Sequence, residues 1–270
     1  MAALLGVSWS PVAAELSDLD MLVDIVEVPG WGLEAALTDS GVRRRVLLHN
    51  LDLDVSLADP GYIDDKWGER ANAAIRRAGT PWFSLHLGFA SKRVRFDGHM
   101  LPLSEPLGRD DLLARTVESI QKAKTYLDLP LLLENLDYCP EGAYEHVCDP
   151  DFISEVLEET ETGLLLDIGH LLVTASWFET EPETLLARLP LERLVEVHLS
   201  GPRPLDGNTG RLDDVHDDVG ESEVRLLRSV LEQAQPKAIV LEYRRDADQL
   251  REQLAMLGTV IGRRWRGRAC

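Results

Sequence analysis

Residues 163–173 have the sequence GLLLDIGHLLV, and this stretch decides the fold. The apolar run Leu164–Leu166 predicts a buried strand, because a short run of branched apolar residues fits a strand that is covered on both faces. Asp167 ends the run, and His170 follows three residues later. The strand is therefore expected to deliver a carboxylate and an imidazole side by side at its end.

Seven other short apolar runs resemble this one, and amphipathic stretches with helical spacing separate most of them. The eight predicted strands lie within 3–10, 21–28, 44–51, 81–88, 130–136, 163–169, 194–200 and 238–244. The six longer predicted helices lie within 69–79, 110–127, 150–160, 182–189, 221–234 and 246–261. Asp110 and Asp149 are expected to cap two of these helices. Alternating strands and helices predict one closed (β/α)8 TIM barrel over 1–262, followed by a basic C-terminal tail over 263–270.

The composition limits the classes of partner. The chain has 270 residues, 44% of them hydrophobic, and a formal net charge of −19. Such a negative field repels phosphate backbones, so nucleic acid is not an expected partner. No stretch has the roughly 18 apolar residues of a membrane span, and the first residues do not resemble a signal peptide. The three cysteines fit free thiols in a reducing compartment, so we expect a cytoplasmic protein.

Polar residues end almost every predicted strand. In a TIM barrel these ends converge on one mouth, and the long segments 88–108, 136–148 and 201–220 follow strands there. The polar residues at the strand ends are Glu27, His49, His86, Glu134, Asn135, Asp167, His198 and Glu242. His170 follows the sixth strand, and DDVHDD (213–218) after the seventh adds Asp214 and His216. His99 lies in the long loop after the fourth strand, where it is expected either to be exposed or to face the substrate.

This constellation predicts metal binding. Several carboxylates crowded together raise one another's pKa unless a cation neutralises them. Neutral imidazoles with carboxylates are ligands for Zn, Fe, Mn or Co. The set exceeds the four to six positions of one ion, so two or three ions with bridging carboxylates are expected. A metal-free acid–base pocket is the alternative.

The chain resembles the multinuclear non-heme iron-dependent oxidases, a family of the xylose-isomerase-like TIM-barrel superfamily that modifies ribosomally synthesised peptides. LLLENLDYC (131–139) is similar to that family's motif at the fifth strand. The block 149–175, which ends in GLLLDIGHLLVTA, is similar to its helix and sixth strand. LPLERLVEVHLSG (189–201), DDVHDDV (213–219) and AIVLEYRRD (238–246) resemble its later motifs. The likeness covers most of the chain and is strongest over 131–257.

The resemblance implies an enzyme that uses O2 and Fe(II)/Fe(III), with two or three iron ions, to modify cysteine residues of a precursor peptide. It also implies a small partner protein that binds the leader of that peptide. The metal ligands that it implies are His49, His86, Glu134, Asp167, His198, Asp214, His216 and Glu242. We assign the catalytic role to Asp214 and His216. Glu27, Asn135 and His99 are expected to support the ligands or to face the substrate.

His170 supports a second interpretation, because the iron oxidases usually have Asn at this position. With His170 included, the chain has counterparts for all nine ligands of endonuclease IV, a zinc enzyme of the same superfamily. The alternative function is therefore a Zn- or Mn-dependent hydrolase, or a sugar isomerase or epimerase. Sugar isomerases hold one ion with Glu, Asp, His and Glu, which would leave His49, His86 and His216 without a ligand role. A non-catalytic barrel that binds metal or peptide is a third possibility.

Overall fold

The computed structural model describes residues 3–38, 45–205 and 210–263. Within these ranges the chain forms twelve strands, of which eight are parallel and close into a barrel in the order β1-β12-β9-β8-β7-β4-β3-β2. The strands are β1 (Leu4–Ser8), β2 (Ile25–Pro29), β3 (Arg45–His49), β4 (Phe83–His86), β5 (Val94–Asp97), β6 (His99–Pro102), β7 (Leu131–Glu134), β8 (Gly163–Asp167), β9 (Leu194–Leu199), β10 (Gly201–Pro204), β11 (Leu212–Asp217) and β12 (Ala238–Leu241). The predicted (β/α)8 barrel is confirmed.

Helices cover the outside of the barrel and explain why its strands are apolar on both faces. They are α1 (Pro11–Glu15), α2 (Leu19–Leu22), α3 (Leu33–Thr38), α4 (Asp65–Ala78), α5 (Arg109–Tyr126), α6 (Pro150–Thr160), α7 (Ile168–Trp177), α8 (Pro182–Leu186), α9 (Glu221–Gln233) and α10 (Ala247–Val260). Among the described residues, no helix combines the length and apolar character needed to cross a lipid bilayer. Cys139 and Cys148 are free thiols, as expected. The basic tail, apart from Arg263, lies outside the described residues, so the predicted domain boundary stays a prediction.

Local capping fixes several helix ends. Asp149 accepts a hydrogen bond from the backbone N–H of Asp151, so it is the predicted N-cap of α6. The prediction that Asp110 caps α5 is wrong, because the helix begins one residue earlier and Gly108 is its N-cap. Asp110 lies in the first turn instead, where a carboxylate interacts favourably with the helix dipole.

Helix α7 begins directly where β8 ends and was not predicted from the sequence. Asp167 is both the last residue of β8 and the N-cap of α7, since its Oδ1 accepts a hydrogen bond from the backbone N–H of His170. Most of α7 is buried, so its residues lack the polar stripe that would have revealed a helix. Consequently the first turn of α7 places His170 against the end of the barrel.

Two antiparallel hairpins occupy segments that were expected to be loops. β5 pairs with β6 after the fourth barrel strand, and β10 pairs with β11 after the seventh. Two hydrogen bonds attach the second hairpin to α7. Trp177 Nε1 donates to the backbone oxygen of Leu212 at 3.2 Å, and the backbone N–H of Leu212 donates to Ser176 Oγ at 2.9 Å. This attachment fixes the strand that carries Asp214 and His216.

An inward-facing layer fills the barrel below its mouth. In four of the eight strand pairs the inward residues lie directly opposite each other, for example Gly6 opposite Val240 and Leu165 opposite Glu196. In the other four pairs they are offset by two residues along the strands, as the tilt of the strands in a closed barrel requires. The layer consists of Gly6, Ile25, Leu47, Ser84, Leu132, Leu165, Glu196 and Val240. Trp82 packs against residues of this layer, and its indole N–H donates a hydrogen bond to Glu196 Oε2 at 2.8 Å. The barrel is thus a filled core and not a pore.

Gly201 allows the hairpin β10–β11 to lie close to the chain that follows it. A Cβ at this position would overlap the backbone oxygens of Asp217 and Asp218.

We expect Gly201→Ala to lower the free energy of unfolding by about 1–3 kcal/mol, since backbone atoms must move to make room. The measurement is chemical denaturation of the metal-free protein. Gly32→Ala is the control, because its Cβ meets nothing nearer than 3.5 Å, and equal midpoints for the two variants would contradict the prediction.

Candidate metal centre

A polar layer lies directly above the inward layer, at the carboxyl ends of the barrel strands. Side chains two residues apart in a strand point to the same face, so the residue two positions after each member of the inward layer also points into the barrel. These residues are Ser8, Glu27, His49, His86, Glu134, Asp167, His198 and Glu242. The first turn of α7 adds His170, and β11 adds Asp214 and His216.

Glu134 lies at the centre of this layer among four imidazoles. Its Oε2 is 3.1 Å from His49 Nε2 and 3.3 Å from His86 Nε2. Its Oε1 is 3.3 Å from His198 Nδ1 and 3.7 Å from His170 Nδ1. One buried carboxylate therefore connects residues from β3, β4, β9 and α7.

The ligands predicted beyond the strand ends join the same cluster. His216 lies between two carboxylates, with Nδ1 2.8 Å from Asp214 Oδ2 and Nε2 2.9 Å from Glu242 Oε2. Asp214 Oδ2 is also 3.8 Å from His170 Nε2. His216 has a φ of 49°, a left-handed conformation that is strained for a residue with a Cβ and that is common at functional sites.

Two of the histidines are oriented by acceptors behind the cluster. His198 Nε2 lies 2.7 Å from Glu27 Oε2, and His170 Nδ1 lies 2.9 Å from the backbone oxygen of Asn135. A hydrogen bond at one ring nitrogen leaves the lone pair of the other nitrogen free for a metal ion. For His198 this second nitrogen faces Glu134, and for His170 it faces Asp214.

Three buried polar atoms in the cluster make no hydrogen bond of normal geometry to the described residues, although two ring nitrogens lie within 3.3 Å of Glu134 Oε2. The three atoms are Glu134 Oε2, Asp167 Oδ2 and His198 Nδ1. Buried polar atoms without partners are costly, and each such group requires an explanation. Ligand atoms of Glu134, Asp167 and His198 lie within 4.8 Å of one another, and so do those of His49, His86 and Glu134. Orphaned carboxylate and imidazole atoms that converge in this way fit bound metal ions.

The electrostatics of the metal-free cluster lead to the same expectation. Burial lowers the pKa of His86 to about 4, so this imidazole is neutral at pH 7. For His170 and His198, burial opposes the charged form, but nearby carboxylates outweigh it and hold the pKa well above the usual value. Burial raises the pKa of Asp167 to about 6. Without metal, protons on the histidines thus balance part of the negative charge.

Two acidic residues next to the cluster, Glu196 and Asp137, were not predicted from the sequence. Glu196 is buried in the inward layer below His198, with Oε1 3.8 Å from His198 Nε2. The spacing Glu196-x-His198 signals a shared face in a strand and could have revealed it. Asp137, in the segment after β7, lies 4.0 Å from His170 Nε2. No sequence period marks a position in such a segment, so only the fold reveals Asp137.

Of the three residues expected to support the ligands or face the substrate, two contact the cluster and one lies elsewhere. Glu27 is buried and contacts His198, and Asn135 exchanges hydrogen bonds with the backbone N–H and oxygen of Asp167. His99 begins β6 and lies instead beside Cys139 and Glu141.

Comparison with known proteins agrees with this geometry. The family model described as "RiPP precursor modification enzyme MbnB/TglH/ChrH" matches residues 23–260. The chain belongs to this family. The resemblance to the iron-dependent oxidases that modify ribosomal peptides is thereby confirmed, and the chain is an enzyme of the TIM-barrel superfamily.

Curated relatives share most of the length of the chain. A "UPF0276 protein" of Caulobacter vibrioides is 31% identical over 256 residues, covering 90% of this chain and 87% of that protein. A UPF0276 protein of Bordetella parapertussis is 29% identical over 245 residues, covering 90% of this chain and 83% of the relative.

Solved structures of low identity share the fold. A D-tagatose 3-epimerase-like protein has a TM-score of 0.67 at 16% identity, with 97% of each chain covered. Endonuclease IV from Thermus thermophilus has a TM-score of 0.53 at 15% identity, with 97% of this chain and 100% of that chain covered. A fusion protein with a xylose isomerase-like TIM barrel has a TM-score of 0.62 at 12% identity, with 94% of this chain and 41% of that chain covered. These likenesses confirm the xylose-isomerase-like barrel.

The position of Glu134 yields a prediction about metal content. We expect Glu134→Gln to lower metal content by at least about tenfold, because a neutral amide cannot replace a central charged ligand. Metal per chain is measured by mass spectrometry after purification without oxygen. Glu155→Gln, which removes a surface carboxylate paired with Arg109, is the control and is expected to retain full content. Full occupancy in Glu134→Gln would contradict the central role of this carboxylate.

The raised histidine pKa values predict that metal binding expels protons. Because nearby carboxylates hold the pKa of His170 and of His198 well above the usual value, both imidazoles favour the doubly protonated form in the metal-free protein. A metal ion binds only a ring nitrogen that has lost its proton. Apparent affinity is therefore expected to rise with pH, up to the raised pKa values. The measurement is titration calorimetry of Zn²⁺ binding in two buffers of different ionisation enthalpy. Identical heats in both buffers would contradict the prediction, and His198→Ala is expected to release fewer protons.

Proposed function

We propose that this protein is a multinuclear non-heme iron-dependent oxidase that uses O2 to modify cysteine residues of a ribosomally synthesised peptide. The observation that carries the proposal is the convergence of nine potential ligands on one cluster, within a chain of the RiPP precursor modification family. The family match supports peptide modification as the general activity, and the oxidase chemistry is the finer step that we infer.

Nine residues are proposed to hold two or three iron ions. They are His49, His86, Glu134, Asp167, His170, His198, Asp214, His216 and Glu242. Bound iron would supply the Fe(II)/Fe(III) redox change that the use of O2 requires. Glu134 is suited to bridge two ions, because its two oxygens face different histidines.

The residues behind the ligands are proposed to set their protonation. Glu27 Oε2 accepts a hydrogen bond from the Nε2–H of His198, and this orients Nδ1 of the ring toward the centre. Ser8 Oγ lies 3.1 Å from Glu242 Oε1 and 3.4 Å from Glu27 Oε1, and it links these two carboxylates. Ser8, Glu27 and Glu242 are all buried, so solvent water does not compete with the two contacts of Ser8.

Asp214 and His216 are proposed as the catalytic pair at the rim of the cluster. The side chain of His216 is 27% exposed, whereas that of His198 is fully buried, so His216 is open to a substrate. Burial lowers the pKa of His216, but Glu242 and Asp214 outweigh this effect and raise it to about 10. In the metal-free protein the imidazole therefore holds a proton at Nε2 and Nδ1, between two carboxylates.

The surface around the mouth is suited to a cysteine-containing peptide. Exposed apolar side chains lie on segments that follow the barrel strands, which is where substrates reach a TIM barrel. They are Trp31, Leu53, Phe96 and Leu103. Exposed aromatic residues are typical of surfaces that bind peptides or proteins. We propose a cytoplasmic enzyme whose partners are the precursor peptide and a small protein that binds its leader, and not nucleic acid.

A second candidate is a Zn- or Mn-dependent hydrolase, isomerase or epimerase. The observation in its favour is the position of His170, which joins the cluster 3.7 Å from Glu134 Oε1 and 3.8 Å from Asp214 Oδ2. A ninth ligand of this type is compatible with a zinc centre that activates water without redox change.

Metal analysis and oxygen consumption together test the proposal. The protein is purified without oxygen, its metals are counted, and Mössbauer spectra are recorded on an iron-57 sample. Two or three irons per chain, with O2 consumption that depends on a cysteine peptide encoded beside the gene, are expected. The same peptide with Ser in place of Cys is the control and is expected to give no consumption. Turnover under strict anaerobiosis with bound zinc or manganese would instead support the second candidate.

The variant His170→Asn separates the two candidates. Asn can still donate a hydrogen bond to the backbone oxygen of Asn135, which His170 Nδ1 contacts at 2.9 Å. If the protein is an iron oxidase, we expect this variant to keep iron and peptide-dependent O2 consumption within about tenfold. Asn is the usual residue at this position in the iron oxidases, so we expect it to take the place of His170 at the centre. Complete loss of both iron and O2 consumption in a folded variant would show that the imidazole itself is required and would favour the second candidate.

A further inference from the structure

A second group of ligand-type side chains lies outside the barrel centre. His99 begins β6, whereas Cys139 and Glu141 belong to the segment after β7. One ligand atom from each of these three residues lies within 4.8 Å of the others. Cys139 Sγ is 3.9 Å from Glu141 Oε2. The cluster contains a thiol, which none of the nine proposed ligands of the barrel centre has.

Backbone hydrogen bonds hold the two segments of this cluster together. The backbone N–H of Ala143 donates to the backbone oxygen of Met100 at 2.8 Å, and the hydroxyl of Tyr144 accepts from the backbone N–H of Met100 at 3.0 Å. The backbone N–H of Gly142 donates to the backbone oxygen of Cys139 at 3.0 Å. The three side chains are thus presented by fixed backbone, as a preorganised binding site requires.

The imidazole of His99 has an unsatisfied nitrogen. Its Nε2 is buried and has no hydrogen-bond partner among the described residues. Buried polar atoms normally have partners, so a ligand at this position would supply what the protein does not.

We propose that His99, Cys139 and Glu141 form a separate metal site for a thiophilic divalent ion of the Zn²⁺ type. Thiolate and imidazole ligands select such ions over Mg²⁺ and Ca²⁺. Three protein ligands leave one position of a tetrahedral ion open to water or to a ligand from outside. The ion would fasten the hairpin β5–β6 to the segment after β7, next to the barrel mouth. The proposal does not depend on which reaction the barrel centre catalyses.

Cobalt provides a test that reports on this site alone. Co²⁺ replaces Zn²⁺ in such sites, and only a thiolate ligand gives the intense sulfur-to-cobalt charge-transfer absorption in the near ultraviolet. The proposed ligands of the barrel centre are nitrogen and oxygen atoms, so Co²⁺ bound there does not give this band. The whole chain is titrated with Co²⁺ under reducing conditions, in a Cys270→Ser background that removes the C-terminal thiol.

The proposal predicts a charge-transfer band whose final intensity corresponds to one cobalt–thiolate bond per chain, whatever number of further cobalt ions the barrel centre takes up. Cys139→Ser is expected to abolish the band, and His99→Ala is expected to weaken the affinity measured from it by about tenfold or more. Cys148→Ala is the matched control, since Cys148 is the other described thiol and is expected to be dispensable. Circular dichroism of each variant checks that the barrel remains folded.

Two results would overturn the proposal. One is a wild-type protein without the band at an excess of Co²⁺. The other is a band that survives in Cys139→Ser or that disappears in Cys148→Ala, because the sulfur ligand would then be a different residue. Glu141→Gln gives an independent check, since loss of an exposed carboxylate does not threaten folding and is expected to weaken cobalt binding.

Discussion

The carboxylate of Glu134, buried among imidazoles at the end of β7, is the interaction on which the centre depends. An unpaired charge in such a place costs several kcal/mol, so polar or positively charged groups must lie next to it. His49, His86 and His198 lie within 3.3 Å of its oxygens. In the metal-free protein these contacts, together with protons on the more basic histidines, stabilise the negative charge. The other carboxylates add to the demand for positive charge, which is the physical basis for the metal binding that we propose.

The two layers of the barrel divide the tasks of stability and chemistry. Leu132 and Leu165 belong to the inward layer, which is largely apolar and well packed. Glu134 and Asp167 follow two positions later on the same strand faces, so they rest on that layer. The packed inward layer holds the carboxylates and imidazoles above it at fixed distances from one another. Ligands on strands are also placed more accurately than ligands on loops.

The sequence predicted the barrel and most of its polar layer because strand ends in a parallel barrel share one location. It did not predict α7, since this helix is buried on nearly all sides and has no polar stripe. It also missed the hairpins β5–β6 and β10–β11, which lie in segments where short-range pattern is weak. Glu196 was missed because it lies within its strand, one layer below the strand ends that carry the proposed ligands. The position of Asp137 depends on the path of the chain after β7, which composition does not encode.

The origin of the ligands along the chain has a consequence for biosynthesis. Glu27 and Glu242 are separated by most of the sequence, yet Ser8 contacts both of them. They meet only when β12 pairs with β1 and the barrel closes, through pairs such as Leu4 with Ala238. Because synthesis proceeds from the N-terminus, a ribosome-bound chain without β12 lacks the complete centre. Metal binding at the proposed centre thus requires a closed barrel, and a chain truncated before β12 lacks Glu242 and the strand that completes the barrel.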